Sequence, residues 1–182
     1  MYKIIYADPP WSYNDKNCNG ACAKHYKTMS LKDIMLLPVN TLADKDCVLF
    51  LWATYLLLPE ALQVIKAWGF TYKTIAFQWL KLNKNAMNTD MFKQKYFYGL
   101  GRWTRGNTEC CLLATKGKPK RISASVHQII EYPITRHSAK PDEARDKIVK
   151  LMGDLPRIEL FAREKVAGWS AWGNEIQSDI EL

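Results

Sequence analysis

Lys3-Ile4-Ile5-Tyr6-Ala7-Asp8-Pro9-Pro10-Trp11 decides how the rest of the chain is read. Lys3 to Ala7 is a short apolar run, the pattern of a buried strand. In an open α/β sheet, chemistry sits just beyond the carboxyl ends of strands, and Asp8 stands where such a site begins. Neither proline carries an N–H, so the turn offers carbonyl oxygens and almost no donors. Asp8 adds an acceptor-only carboxylate, and Trp11 adds a wide aromatic face. A flat ligand with an NH₂ group fits that inventory. Its amine hydrogens go to Asp8 and the Pro9 carbonyl, and its ring stacks on Trp11. The exocyclic amine of a nucleobase is such a ligand.

The chain has 182 residues, which predicts one domain spanning 1–182. It is 48% hydrophobic, enough for a core, with no apolar run long enough to span a membrane and no signal peptide. A net charge of +8 favours a polyanionic partner. Five cysteines, an odd number, point to a reducing compartment, so a cytoplasmic location is expected. Cys18, Cys22 and His25 do not complete a ligand set, so no metal is expected.

Outward from the opening motif, residues 12–29 read as a long loop, and loops of that length are usually functional. Ser30 caps a short helix, with Asp33 in capping-box position, and Pro38 ends it. Cys47 to Ala53 is a near-continuous apolar run, hence a central strand. A helix follows from Pro59 to Trp68 with a stripe of Leu58, Leu62, Ile65 and Trp68. Tyr72–Leu82 and Thr108–Lys116 read as strands, and Val126–Tyr132 as a short edge strand. Between them, residues 83–107 form a second loop. There Lys93, Lys95, Arg102 and Arg105 alternate with aromatic rings, which suits phosphate contacts and base stacking. Pro141 opens another helix, which ends at Gly153, and Lys140 beside its start is placed to hold a carboxylate or phosphate. Arg157–Phe161 is the last strand.

Five segments in order resemble the MT-A70 family of adenine-N6 methyltransferases. They are Asp8-Pro9-Pro10-Trp11, Tyr26-Lys27-Thr28-Met29-Ser30, Glu109-Cys110-Cys111-Leu112, Ser138-Ala139-Lys140-Pro141-Asp142, and Glu159-Leu160-Phe161 with Gly168 to Glu175. The resemblance covers residues 3 to 175. It implies that Asp8, Pro9, Pro10 and Trp11 form the catalytic motif and that Tyr26 helps wall the base pocket with Trp11. It also implies S-adenosylmethionine as cofactor, bound by Asp8, Lys140, Arg163, Asn174 and Glu175. Ala162 stands where the family usually has glycine; its side chain is small, so little effect is expected beyond a tighter fit of the backbone against the cofactor.

The catalytic strand comes first and the cofactor strand last. The expected fold is therefore an α/β Rossmann-like methyltransferase with permuted motif order. Its mostly parallel sheet is flanked by helices, and its two site-bearing strands lie side by side. The expected function is methylation of adenine N6 in nucleic acid, with DNA favoured over RNA. Target selection then falls to the two loops, a homodimer or a partner subunit. A non-catalytic nucleic-acid-binding subunit of the same fold is the reading from another class. Methylation of cytosine N4 asks for the same acceptors and stays open on chemistry alone.

Overall fold

A computed structural model of the chain describes residues 1–12, 28–84, 95–99, 103–135 and 139–182. The strands are β1 (Tyr2–Ala7), β2 (Ala43–Ala53), β3 (Thr71–Leu82), β4 (Thr108–Lys116), β5 (Ile129–Pro133), β6 (Arg157–Leu160) and β7 (Ser170–Trp172). The helices are α1 (Leu31–Leu36), α2 (Val39–Leu42), α3 (Leu58–Ala67) and α4 (Glu143–Met152), with a 3₁₀ turn at Tyr55–Leu57. The strands form one sheet in the order β5-β3-β4-β2-β1-β6-β7. Four of its pairings are parallel, and only the two made by β4 are antiparallel. This is the expected mostly parallel α/β sheet.

β1 lies between β2 and β6, so the first strand and the strand that carries Glu159 and Leu160 are neighbours, with Ala7 opposite Leu160. The apolar runs that suggested strands buried on both faces are explained by two core layers. Ile5 and Ala7 of β1 and Leu49 and Leu51 of β2 pack with Ile34, Val64, Ile65 and Trp68 on one face. Ile4 and Tyr6, with Val48, Phe50 and Trp52, pack with Ala144, Ile148 and Met152 of α4 on the other. Alternation along a strand is what sends neighbours to opposite layers.

Two local expectations, in α3 and at the end of β6, need correction, while the Ser30 cap of α1 is as expected. Leu62 is exposed; the buried stripe of α3 is Ala61, Val64 and Ile65, continued by Trp68. At α1, Ser30 accepts the Asp33 N–H at 3.1 Å and donates its hydroxyl to the Asp33 carboxylate at 2.7 Å. The Asp33 side chain is one methylene shorter than the glutamate of a full capping box, and it meets the Ser30 hydroxyl. β6 stops at Leu160, because Phe161 adopts φ +63°. A bulky residue rarely takes that left-handed conformation. The chain thus turns sharply at the carboxyl edge of the sheet.

Candidate active site

β4 runs against its neighbours, so its first residues arrive at the edge where β1, β2 and β3 end. That direction delivers Glu109 to Asp8. Lys140, just before α4, lies between them: its Nζ is 2.7 Å from Asp8 Oδ2 and 3.4 Å from Glu109 Oε2. Glu109 also pairs with Lys81 near the end of β3. The result is a chain of alternating charge, Asp8–Lys140–Glu109–Lys81, with no net charge. Lys140 Nζ sits 5.8 Å from the centre of the Trp52 ring, and Lys81 Nζ sits 5.0 Å from that of Trp79. Both are within cation–π range.

The two carboxyls are shifted in opposite directions. It pushes Asp8 above the ordinary aspartate value, against the pull of Lys140. Burial acts on Glu109 in the same sense, but Lys140 and Lys81 together outweigh it and hold Glu109 below the usual value. Lys140 is disfavoured by burial, yet its two carboxylates keep it protonated well beyond an ordinary lysine. Asp8 keeps 27% of its side chain exposed, so it is reachable from solvent.

Asp8 and Lys140 line a cleft of about 360 Å³ together with Tyr132, Phe161 and Arg163. Its floor is braced by residues that the sequence reading did not single out. Glu159 of β6, 8% exposed, takes two hydrogen bonds from Arg145, at 2.7 and 3.0 Å. Arg145 also reaches Asp142 at 2.6 Å. Tyr6 accepts the Trp52 indole N–H at 2.7 Å.

The turn itself is partly committed. Trp11 N–H donates to the Pro9 carbonyl at 2.8 Å, and Met29 N–H donates to the Pro10 carbonyl at 2.9 Å. A carbonyl has two lone pairs, so Pro9 retains one for a ligand. Trp11 is not the open stacking face expected of it. It is 6% exposed and its indole donates to the Trp52 carbonyl at 3.1 Å. A ring anchored in this way holds the turn rigid.

The profile of the MT-A70 family matches residues 2–175. The chain belongs to the MT-A70 family. Among its relatives, the type II methyltransferase M.MunI of a Mycoplasma species is 34% identical, over all of this chain and 81% of that protein. The N(6)-adenosine-methyltransferase MT-A70-like of Arabidopsis thaliana is 27% identical, over 96% of this chain and 24% of its own length. The N(6)-adenosine-methyltransferase catalytic subunit METTL3 of Homo sapiens is 26% identical, over 96% of this chain and 28% of its own length. This MT-A70 chain therefore spans about a quarter of the latter two.

Of the residues singled out in the sequence, the fold brings Asp8, Lys140 and Arg163 to one cleft. Glu175 joins at its rim through Arg163, Nε to Oε1 at 3.3 Å. Asn174 is exposed beside it. Ala162 is buried, and its carbonyl lies against Gly173, where any side chain would collide with it. The close approach on this side of the cleft thus depends on Gly173, and the Ala162 methyl is accommodated in the core. Lys95 is paired with Glu131 at 2.7 Å, and Arg105 is exposed. Tyr26, Lys93 and Arg102, like Cys18, Cys22 and His25, lie outside the described residues. Among the described residues no helix is long and apolar enough to cross a membrane.

Proposed function

We propose that this chain transfers the methyl group of S-adenosylmethionine to N6 of adenine in DNA. The observation that carries the reading is the Asp8–Lys140 pair at the end of β1, facing a cleft that Arg163 also lines. The donor set suits the cofactor, which carries charge of both signs. The cleft offers the carboxylates Asp8 and Glu159 beside the cations Lys140 and Arg163. Arg163, Asn174 and Glu175 at the rim suit ribose hydroxyls. When bound, the cofactor supplies a methyl group on a positively charged sulfur.

The remaining work belongs to the chain. The lone pair of adenine N6 is drawn into the ring and is a poor nucleophile. The Asp8 carboxylate and the second lone pair of the Pro9 carbonyl accept the amine hydrogens, which favours a tetrahedral nitrogen. Asp8 also stabilises the positive charge that develops there. Lys140 fixes the carboxylate without consuming it, because Glu109 shares the ammonium. Trp11 keeps the turn in place for in-line approach.

DNA is taken as the substrate because the relative aligned along the whole chain is a type II methyltransferase. RNA is the second reading, favoured by the relatives named N(6)-adenosine-methyltransferases. A test supplies methyl-labelled cofactor with duplex DNA or RNA, then digests the product to nucleosides. N6-methyladenine from DNA supports the proposal. Label in RNA alone moves the substrate, and label in cytosine moves the target amine. No transfer to either, with nucleic acid still bound, supports a non-catalytic subunit. Calorimetry of the cofactor with Arg163→Ala and Asn174→Ala is expected to show weaker binding than with the parent.

A further inference from the structure

Trp103 is 98% exposed, the most exposed large hydrophobic side chain among the described residues. Indoles carry more apolar area than other side chains and are on average well covered. This one stands with Thr104 and Arg105 on a tip whose base is firmly built. Gly99 N–H donates to the Gly106 carbonyl at 2.7 Å, and a Cβ on Gly99 would lie 2.9 Å from that oxygen. The two backbones can meet this closely because residue 99 has no side chain. Below them, both stems grip one residue: Phe97 N–H donates to the Lys81 carbonyl at 2.8 Å, and Lys81 N–H donates to the Asn107 carbonyl at 2.9 Å. Lys81 is the outer end of the charge chain that leads through Glu109 and Lys140 to Asp8. The tip therefore rises from the same edge as the cleft. Arg105 beside Trp103 is exposed too, and so is Tyr98 on the opposite stem.

We propose that Trp103 is a wedge that enters the base stack of duplex DNA and fills the gap left when the target adenine is extruded toward Asp8. The proposal rests on the reading of the chain as a methyltransferase of adenine in duplex DNA. Inside a duplex the amine cannot reach Asp8, so the base must leave the stack. Its two neighbours then lose their stacking partner, and an inserted apolar side chain is a recognised way to occupy such a step. An indole is flat and close to a purine in size, and it stacks on any base. Arg105 adds a phosphate contact next to the point of entry. The +8 charge of the chain makes a polyanion the fitting partner for this surface.

The test compares Trp103→Ala and Trp103→Phe with the parent on unmethylated bacterial genomic DNA, so the recognition sequence need not be known. Single-turnover transfer to duplex is expected to fall on the order of 10- to 100-fold in the Ala variant and to stay within about fivefold of the parent in the Phe variant. Quenching of tryptophan fluorescence on adding duplex should be smaller for the Phe variant than for the parent. Transfer by the Ala variant within about threefold of the parent, or unchanged quenching in the Phe variant, would overturn the wedge. So would earlier melting or a changed solution mass of the Ala variant, since the indole would then pack on its own chain or on a second copy. A parent active only on RNA or on heat-denatured DNA overturns the wedge alone. A parent that methylates no nucleic acid overturns the functional reading with it.

Discussion

Asp8 and Glu109 share one lysine but are set for different tasks. Glu109 is held ionised by two cations, whereas Asp8 is raised by burial and faces the cleft. Asp8→Asn keeps the shape but replaces the charge with an amide, half of which donates. Loss of a charge-assisted hydrogen bond that strengthens in the transition state is expected to slow single-turnover transfer by roughly 10²- to 10³-fold. Circular dichroism should report an intact fold. Retention of the rate within about threefold would show that Asp8 is structural. The pH profile supplies a second prediction. In the proposed mechanism Asp8 acts as the carboxylate, so activity is expected above its pKa and is lost as pH falls through it. Because burial raises that pKa, the acid limb should begin above the ordinary aspartate range. Lys140→Met removes the opposing pull, so the midpoint of the limb should move to higher pH even though the rate also drops. For stability the signs differ. The contribution of Glu109, whose pKa is lowered, is present above the ordinary glutamate value and is lost as pH falls through the folded one.

At the scale of elements, the β6–β7 unit yields its own prediction. Gly173 lies so close to the Ala162 backbone that Gly173→Ala must push the two segments apart. Overpacking of this kind costs about 1–3 kcal/mol, measurable by urea unfolding, and the cofactor should bind more weakly because Arg163 and Asn174 flank the contact. Unchanged stability would mean that the segments separate freely. This unit also shows where legibility ends. β1, β2, β3 and β4 were readable because each is a run of apolar or β-branched residues with its own punctuation. β7 was not: three residues, Ser170 to Trp172, carry no periodicity, and they become a strand by pairing with Ile158 to Leu160. The reversed direction of β4 was equally hidden, since alternation along a strand says nothing about which way its neighbour runs. For that reason Glu109 was noticed in its segment but not as the partner of Lys140. Asp8 and Lys140 were legible because each stands just beyond or just before an element whose ends could be read, whereas Arg163 was marked out by the family resemblance. The exposure of Leu62 was missed because its spacing fits the α3 stripe as well as Ala61 does, and the angle between helix and sheet makes the choice.

At the scale of the whole molecule, the excess of positive charge should appear as salt dependence. Lys95 is already paired with Glu131, so it releases fewer counterions on binding than its charge suggests. Arg105→Gln is therefore expected to lower the slope of log affinity against log salt by about one unit, with a smaller change for Lys95→Gln. Equal slopes for parent and Arg105→Gln would remove the tip from the interface. The position of β1 inside the sheet, between β2 and β6, has a further consequence, for the order of events during synthesis. β1 finds β2 within the first third of the chain, but its other partner, β6, is translated about 150 residues after β1. At about 5–20 residues per second, that is a delay of roughly 8 to 30 seconds. Throughout it, Ile4 to Ala7 present an apolar strand edge that is open to any other unpaired strand nearby. A nascent chain released before residue 157 is thus a natural seed for aggregation, and the strand that leads to Asp8 is the one that waits longest to be closed in.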